Sequence, residues 1–232
     1  MCNTRLLVTM GAIATLCSTG WGSIIFEEKF EGAPFKVMVD GSNVSDWGVV
    51  EDSTSPEGPH VAKFGINGGY PNNANTFLVM DKVDLSAGAG WLLAFRHHYN
   101  IEKDPEGNFG YDGLRVVGSP DDGANWHLLT PVGGYPFSYV NVFDTGGYSG
   151  ESNTWALGLF DLSALQESNQ VLVAFQFASD SDNSTAPPGF EGFWSVDGIR
   201  IGDRISLLPY IPEPATLSLL ALGGLMALRR RR

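Results

Sequence analysis

Glycine interrupts this chain too often to leave room for a long amphipathic helix in its central part. The 232 residues include 29 glycines, and the apolar runs between residues 24 and 205 are short and bounded by Gly, Pro, Asn and Asp. Apolar residues there never keep the 3.6-residue period of a helix over a long stretch. Short apolar runs separated by turn-forming residues are typical of strands in a sandwich. We therefore expect an all-β fold.

Ten segments have the composition of strands. They lie at residues 23–30, 47–50, 60–65, 75–80, 90–99, 113–119, 126–129, 154–162, 170–178 and 193–201. The segment 171–177 is almost wholly apolar, which predicts a central strand with both faces covered. Asp121, Asp122 and Gly123 predict a hairpin turn. Two long loops, 100–110 and 180–191, are rich in polar residues and glycine, and loops of that length usually have a role.

The first 22 residues predict a secretory signal peptide. Arg5 supplies the positive charge, residues 6–16 form the apolar region, and small residues follow up to Gly22. Cys17 leaves a lipoprotein open as an alternative, although Leu16 before it does not fit a lipobox. Both cysteines of the chain, Cys2 and Cys17, lie in this segment, so the mature protein is expected to have no disulfide and no thiolate metal site.

The C-terminal segment has three parts in a fixed order. Pro212, Glu213 and Pro214 precede an apolar run at 215–228, which is followed by four arginines, Arg229, Arg230, Arg231 and Arg232. The apolar run predicts a short hydrophobic helix of 14 residues, below the roughly 20 that span a bilayer comfortably. The arginines are expected to stay on the cytoplasmic side.

This arrangement resembles the PEP-CTERM sorting signal of Gram-negative bacteria. The resemblance implies recognition by an exosortase, a membrane cysteine transpeptidase, and cleavage near the Pro-Glu-Pro triplet. The chain would be exported through the inner membrane, held there transiently, and then placed on the outer surface or in the extracellular matrix. The resemblance of this segment implies nothing about the chemistry of the remaining residues.

The expected exported domain is strongly acidic. Without Arg5 and the four terminal arginines, nine basic residues remain, and without Glu213 there remain 25 acidic ones, which gives a net charge of −16. Nucleic acid is therefore excluded as a partner, because phosphate binding needs clustered Lys and Arg. Such acidity is compatible with divalent cations or with simple solubility.

Several short motifs in order resemble a jelly-roll module of the MAM-like type, which accompanies secreted metallopeptidases such as immune inhibitor A. They lie at residues 30–32, 47, 83–86, 95–99, 111–113, 119–126, 147–150 and 194–201. The resemblance implies a jelly-roll β-sandwich over residues 23–205, followed by a linker at 206–214. The His-Glu-x-x-His motif of the peptidase unit does not occur in the sequence, so only the accessory module is implied.

In modules of this type, an acidic residue after the first strand and the Asp of the last strand bind a structural ion. The matching positions are Glu31 and Asp197, and Asp46 or Asp40 from the intervening loop would complete the shell of a Ca²⁺ site. Gly198 stands where the family has a second acidic residue, which removes one ligand. The alternative is that both carboxylates only bind strand ends and turn amides.

Other residue patterns give weaker indications of chemistry. Ser149 lies in a segment similar to a nucleophile elbow but lacks the following glycine at the required position, so a structural turn is favoured. His97 and His98 are adjacent in a predicted strand and must point to opposite faces, which argues against a zinc site. A second acidic group, Asp180, Asp182 and Glu191, matches no loop template. Aromatic residues near the loops are either sugar contacts or covers of the core; they are Tyr70, Tyr135, Phe137, Tyr139, Phe190 and Phe193.

The sequence therefore predicts an exported, non-catalytic surface or matrix protein with a display or adhesion module. Its partners would be the exosortase and the membrane during sorting, and afterwards an exopolysaccharide or a matrix protein. A carbohydrate-binding, lectin-like domain is the first alternative. A polysaccharide hydrolase is the second, since jelly rolls also carry paired carboxylates, although the acidic residues here lie mostly in loops.

Overall fold

The structure is a computed structural model and describes residues 22–182 and 189–211. The predicted signal peptide, except Gly22, and the predicted sorting segment from Pro212 onward lie outside the described residues. Fourteen strands are found among the described residues. In chain order they are β1 (Ile24–Glu28), β2 (Val37–Gly41), β3 (Trp47–Glu51), β4 (His60–Phe64), β5 (Asn75–Met80), β6 (Trp91–Ile101), β7 (Gly113–Ser119), β8 (His127–Leu129), β9 (Phe137–Val140), β10 (Thr145–Gly147), β11 (Gly150–Glu151), β12 (Ala156–Asp161), β13 (Leu172–Ala178) and β14 (Phe193–Asp203).

The strands form two antiparallel sheets and one small hairpin. The first sheet has the order β11-β6-β14-β4-β3. In addition, β12 pairs with the same edge of β6 as β11 does, and β1 pairs with β14. The second sheet has the order β2-β5-β13-β7-β8, and β9 pairs with β10. The chain is therefore an all-β jelly-roll sandwich, as the sequence predicts.

Large aromatic side chains fill the space between the two sheets. Trp194 of β14 is fully buried and contacts Phe175 of β13 with ring centroids 5.7 Å apart and Trp47 of β3 at 5.2 Å. Phe64 and Phe177 join the same layer at 5.0 Å. The segment at 171–177 lies in the middle of the second sheet with both faces covered, which confirms its predicted central position.

Most predicted strands agree with the structure, and the hairpin at Asp121 to Gly123 is confirmed. Asp122 and Gly123 both have positive φ, at 59° and 86°, and they join β7 to β8. The sequence did not indicate β2 or the short strands β9, β10 and β11. These strands are two to five residues long, so their alternation of apolar and polar residues is too brief to detect.

The helices of the described residues are short. The α-helix α1 covers Arg204–Leu207, and one-turn 3₁₀ helices lie at Val44–Asp46, Asn141–Phe143, Ser163–Leu165 and Leu208–Tyr210. Asp203 caps α1, with Oδ1 accepting the backbone N–H of Ile205 and Ser206 at 2.9 Å each. Within residues 22–182 and 189–211, every helix is too short to cross a membrane.

The segment after β14 packs against the first sheet. Leu207 is fully buried, although it lies in the predicted linker 206–214. Arg96 of β6 donates a hydrogen bond from Nη2 to the backbone oxygen of Tyr210 at 3.0 Å, and the Arg200 guanidinium lies 3.7 Å from the centre of the Tyr210 ring. The folded domain thus continues to within a few residues of Pro212.

Candidate functional site

A cleft of about 940 Å³ opens at one end of the first sheet. Four parts of the chain line it: Lys63 of β4 with Gly65, Ile66, Gly68 and Gly69 after it; Asn100 and Ile101 of β6 with Glu102, Lys103 and Pro105; Gly150 and Glu151 of β11; and Gly189, Phe190, Glu191 and Gly192 with Phe193 of β14. Both long loops that the sequence singles out, 100–110 and 180–191, contribute to this lining. A cleft of this volume is in the range of ligand-binding pockets.

Strand pairing places the side chains on the floor of the cleft. Phe193 pairs with Asn100 across β14 and β6, and Ser195 pairs with Lys63 across β14 and β4. Because alternate residues of a strand share a face, Phe193, Asn100 and Lys63 all point away from the core. The Lys63 ammonium lies 4.7 Å from the centre of the Phe193 ring. The floor therefore combines an aromatic ring with amide and ammonium groups.

A cluster of carboxylates adjoins the cleft, and one of its members, Glu102, is part of the lining. Asp112 accepts a hydrogen bond from the Tyr70 hydroxyl at 2.8 Å and another from the backbone N–H of Asp180, also at 2.8 Å. The Tyr70 oxygen in turn accepts the backbone N–H of Glu102 at 2.9 Å. We call Tyr70, Glu102, Asp112 and Asp180 the Asp112 cluster. Tyr70 also contacts Phe190, with ring centroids 6.1 Å apart, and so connects the cluster to the lining of the cleft.

The electrostatics of the Asp112 cluster favour a proton on Asp112. Burial raises the pKa of its carboxyl to about 7, and the charges of Asp180 and Glu102 act in the same direction. Burial and the charge of Asp112 likewise raise the pKa of the Tyr70 hydroxyl. Carboxylate oxygens of Glu102, Asp112 and Asp180 lie within 4.8 Å of one another. Among the described residues, these three side chains form a group that could hold a metal ion. Oxygen atoms at this spacing are the ligand type that calcium takes.

The residues predicted to bind calcium lie in other surroundings. Glu31 accepts two hydrogen bonds from His60, from the backbone N–H at 2.9 Å and from Nδ1 at 3.0 Å. Asp197 accepts one from the Ser55 hydroxyl and one from its neighbour Gly198. Asp46 accepts one from the side-chain amide of Asn67. Calcium at Glu31, Asp46 and Asp197 therefore stays a prediction.

The surroundings of Glu31 and Asp197 show that these two residues lie near each other. Burial raises the pKa of Asp197 to about 6, and the charges of Glu57 and Glu31 add to that rise. Asp40, the other loop residue considered, accepts a hydrogen bond from the backbone N–H of Gly41 at 2.7 Å. Asp46 is next to Trp47, which pairs with Phe64 at the far end of β4.

A buried arginine, Arg200, follows Asp197 by three residues on β14. Arg200 donates from Nε to Glu27 at 2.8 Å and from Nη2 to Glu57 at 2.7 Å, and 2% of its side chain is exposed. We call Glu27, Glu57 and Arg200 the Arg200 cluster. These hydrogen bonds and charges raise the pKa of the guanidinium against the opposing effect of burial. The geometry of the Arg200 cluster is that of a structural ion pair, in which the guanidinium of Arg200 is the cation.

The histidine pair is placed as the sequence predicts. His97 points into the core, where it contacts Phe95 and Tyr148, and burial lowers its pKa to about 3. His98 points outward and meets the edge of Phe193, with centroids 5.0 Å apart. Ser149 is buried and donates to the backbone oxygen of Glu102 at 2.9 Å, which is a structural contact.

Four of the six loop aromatics divide into two groups, while Phe137 is partly buried and Tyr139 is exposed, both outside the cleft lining. Phe190 and Phe193 line the cleft, as expected for ligand contacts. Tyr70 is buried, and Tyr135 is partly buried against the core, so these two cover the sandwich. Sequence reasoning missed the convergence of Glu102 and Asp112 on Asp180. The polar loop 100–110 and the Tyr-Asp-Gly motif at 111–113 were the available signals.

Comparison with known proteins gives distant similarities. No family model matches the chain. It is 27% identical over 182 residues to Bacillopeptidase F of Bacillus subtilis (strain 168), which covers 77% of this chain and 11% of that protein. The chain therefore spans about a tenth of the length of this relative.

Comparison with solved structures gives further distant similarities. The K1 cleaved adhesin domain of Lys-gingipain from Porphyromonas gingivalis W83 has a TM-score of 0.45 and 15% identity, with 77% of this chain and 98% of that one covered. The CBM22-2 xylan-binding domain of Xyn10C from Paenibacillus barcinonensis has a TM-score of 0.40 and 13% identity, with 77% and 99% covered.

Proposed function

We propose that the chain is an exported, non-catalytic binding module that holds a polysaccharide in the cleft beside the Asp112 cluster. The observation that carries the proposal is the floor of the cleft, where Phe193 lies beside Asn100 and Lys63. Ligand pockets combine apolar contact area with a few placed polar groups. A sugar ring fits such a floor, because its C–H face packs on an aromatic ring while its hydroxyls bind amide and ammonium groups.

Binding is better supported than hydrolysis. A glycosidase needs two carboxyl groups that flank the bond to be cut and are reached by the sugar. The carboxyl groups that converge here include Asp112, which is fully buried, and Glu102, which is 3% exposed. Asp112 is not part of the cleft lining, and its carboxyl group already accepts hydrogen bonds from Tyr70 and from the backbone of Asp180.

The binding site can be tested with one variant and one matched control. We expect Phe193→Ala to weaken binding of the full chain to soluble neutral polysaccharides by about tenfold, which corresponds to about 1.4 kcal/mol. Tyr139→Ala removes another aromatic ring, 41% exposed and outside the cleft, and should leave binding unchanged. Affinity electrophoresis measures both. Equal retardation of both variants and the wild type contradicts the proposal, and so does release of shorter sugars during incubation.

We further propose that Pro212, Glu213 and Pro214 with the following apolar run deliver this module to the surface or the matrix through an exosortase. The sequence pattern supports this part. Cell fractionation of the full chain and of a chain ending at Tyr210 tests it. We expect the full chain in the membrane and then on the outer surface, and the shortened chain released as a soluble protein. The same distribution for both chains contradicts the sorting role.

A further inference from the structure

The outer face of the first sheet has a covered half and an open half. Arg96 and Arg200 hold Tyr210 against the covered half, and Ser55 closes over Asp197 there. The open half begins two residues further along β6, at His98, and continues to the cleft. A ligand bound in the cleft can therefore extend along the sheet only as far as the open half reaches.

An aromatic row crosses this open half. Phe193 lies on the floor of the cleft, His98 of the neighbouring strand follows at 5.0 Å, and Trp155 follows His98 at 6.0 Å between ring centroids. Trp155 comes directly before β12, the next strand of the sheet, and its Nε1 donates to the Thr54 hydroxyl at 3.0 Å. The row thus runs from β14 across β6 to the start of β12, and it leaves the cleft on one side. All three rings are partly exposed.

Polar groups border the row along its length. Lys63 lies over Phe193 at 4.7 Å, and Asn100 is opposite Phe193 on β6. Asp52 is close enough to His98 for its charge to act on that ring. At the end of the row away from the cleft, the Thr54 hydroxyl accepts the hydrogen bond from Trp155. A floor of rings with hydrogen-bonding groups on its borders suits a chain of sugar units, since each unit has an apolar face and a rim of hydroxyls.

Charge narrows the class of polymer. The lining of the cleft has three glutamates, Glu102, Glu151 and Glu191, against the two lysines Lys63 and Lys103. The net charge of the whole chain is −12. Association with a polyanion is slowed and weakened by a field of the same sign. A neutral chain meets no such repulsion.

We propose that this surface binds an internal stretch of a neutral, linear polysaccharide, which runs from the cleft across Phe193 and His98 to Trp155. The proposal rests on the proposed function and adds the class of ligand and the path that it takes. Two ligand-binding regions joined in this way make affinity depend on chain length, because a short oligosaccharide fills the cleft and does not reach Trp155.

Calorimetric titration of the full chain tests the path. The probes are neutral β-1,4-linked xylo- and gluco-oligosaccharides from the disaccharide to the hexasaccharide. We expect affinity to rise with length for the wild type. Trp155→Ala should weaken hexasaccharide binding by about tenfold and leave the disaccharide unchanged, whereas Phe193→Ala should weaken both. Trp126→Ala, which removes a ring that is 42% exposed elsewhere, is the control.

A second variant guards against a fold effect. Thr54→Val removes the hydrogen-bond partner of Trp155 and the hydroxyl that donates to Asp52, and it keeps the ring, so we expect a smaller loss for the hexasaccharide; the melting temperature of each variant checks that the fold is kept. If affinity does not depend on oligosaccharide length, or if Trp155→Ala weakens binding equally at every length, the proposed path is wrong. The proposed binding in the cleft is not contradicted by that result. Tighter binding of oligogalacturonate overturns the neutral ligand. Failure of every oligosaccharide to bind overturns the proposed function as well.

Discussion

The Arg200 cluster and the Asp112 cluster take charged groups out of water in the same sandwich by two different means. Arg200 donates hydrogen bonds of 2.8 and 2.7 Å to Glu27 and Glu57, so one cation faces two carboxylates. Asp112 is instead held by two neutral donors, the Tyr70 hydroxyl and the backbone N–H of Asp180. Burying a charge is costly unless a partner compensates it.

This difference indicates which change should destabilise each cluster. The first depends on one cation that is part of the chain, so its stability should fall when that cation is removed. The second contains a carboxyl group whose pKa is raised to about 7, so it meets the cost of burial by keeping a proton. One cluster should therefore respond to mutation and the other to pH.

The largest effect is expected from Arg200→Met. The variant leaves Glu57 without its cation and leaves Glu27 with only the exposed Lys29, and removal of one partner of a buried pair costs about 3–5 kcal/mol. The side chain of Glu27 is 37% exposed and can regain water, so we expect a loss near 3 kcal/mol in the free energy of unfolding, measured in urea.

Lys82→Met is the matched control for this loss. Lys82 and Asp122 form an ion pair at 2.7 Å with both side chains more than 40% exposed, and such pairs contribute at most about 1 kcal/mol. If Arg200→Met destabilises the protein no more than Lys82→Met does, the Arg200 cluster is not a structural ion pair.

The next effect is a change of stability with pH at Asp112. Because the folded pKa is about 7 and the ordinary value is 3.8, the stability that this group contributes is present below pH 4 and is lost as pH rises through 7. Asp112→Asn imitates the protonated form. Relative to the wild type, we expect the variant to gain about 2 kcal/mol in the free energy of unfolding between pH 5 and pH 7.

Urea unfolding at several pH values measures this gain as a difference between the two proteins. The difference matters because other groups also titrate: the raised pKa of Asp197 acts in the same direction and the lowered pKa of His97 in the opposite one. Both groups are present in the wild type and in the variant, so their effects cancel. A difference that stays constant with pH contradicts a protonated Asp112.

The sequence contains enough local information for the strands but not for the Asp112 cluster. The bounds predicted for 75–80 and 113–119 are those of the structure, because each segment has a clear apolar pattern with turn residues at both ends. The opposite orientations of His97 and His98 also follow from local geometry.

The side chains of the Asp112 cluster come together through the pairing of strands that are far apart in the sequence. Tyr70 lies 42 residues from Asp112, and Asp180 lies 68 residues from it. Only the meeting of β7 with β13 brings Asp112 next to Asp180, and a single sequence does not state that pairing. The aromatic row has the same origin, since Phe193 and His98 come together through the register of β14 on β6.

The smallest expected effect concerns calcium and decides which cluster, if either, takes it. To bind the ion predicted for Glu31, Asp46 and Asp197, two carboxylates must give up hydrogen bonds. Glu31 would replace its bonds to His60, and Asp197 its bond to Ser55, with bonds to the metal. An ion at ten times its dissociation constant stabilises the folded state by about 1.4 kcal/mol. That raises the melting temperature by a few degrees in a domain of this size.

Thermal unfolding of the full chain in calcium and in chelator measures this rise. If the ion binds where the sequence predicts, Asp197→Asn abolishes the rise and Asp112→Asn keeps it. The opposite result moves the ion to the Asp112 cluster, where it would replace the proton as the means of burying charge. Identical curves in calcium and chelator reject the predicted site, and they would mean that a proton and Arg200 suffice to bury the two acidic clusters.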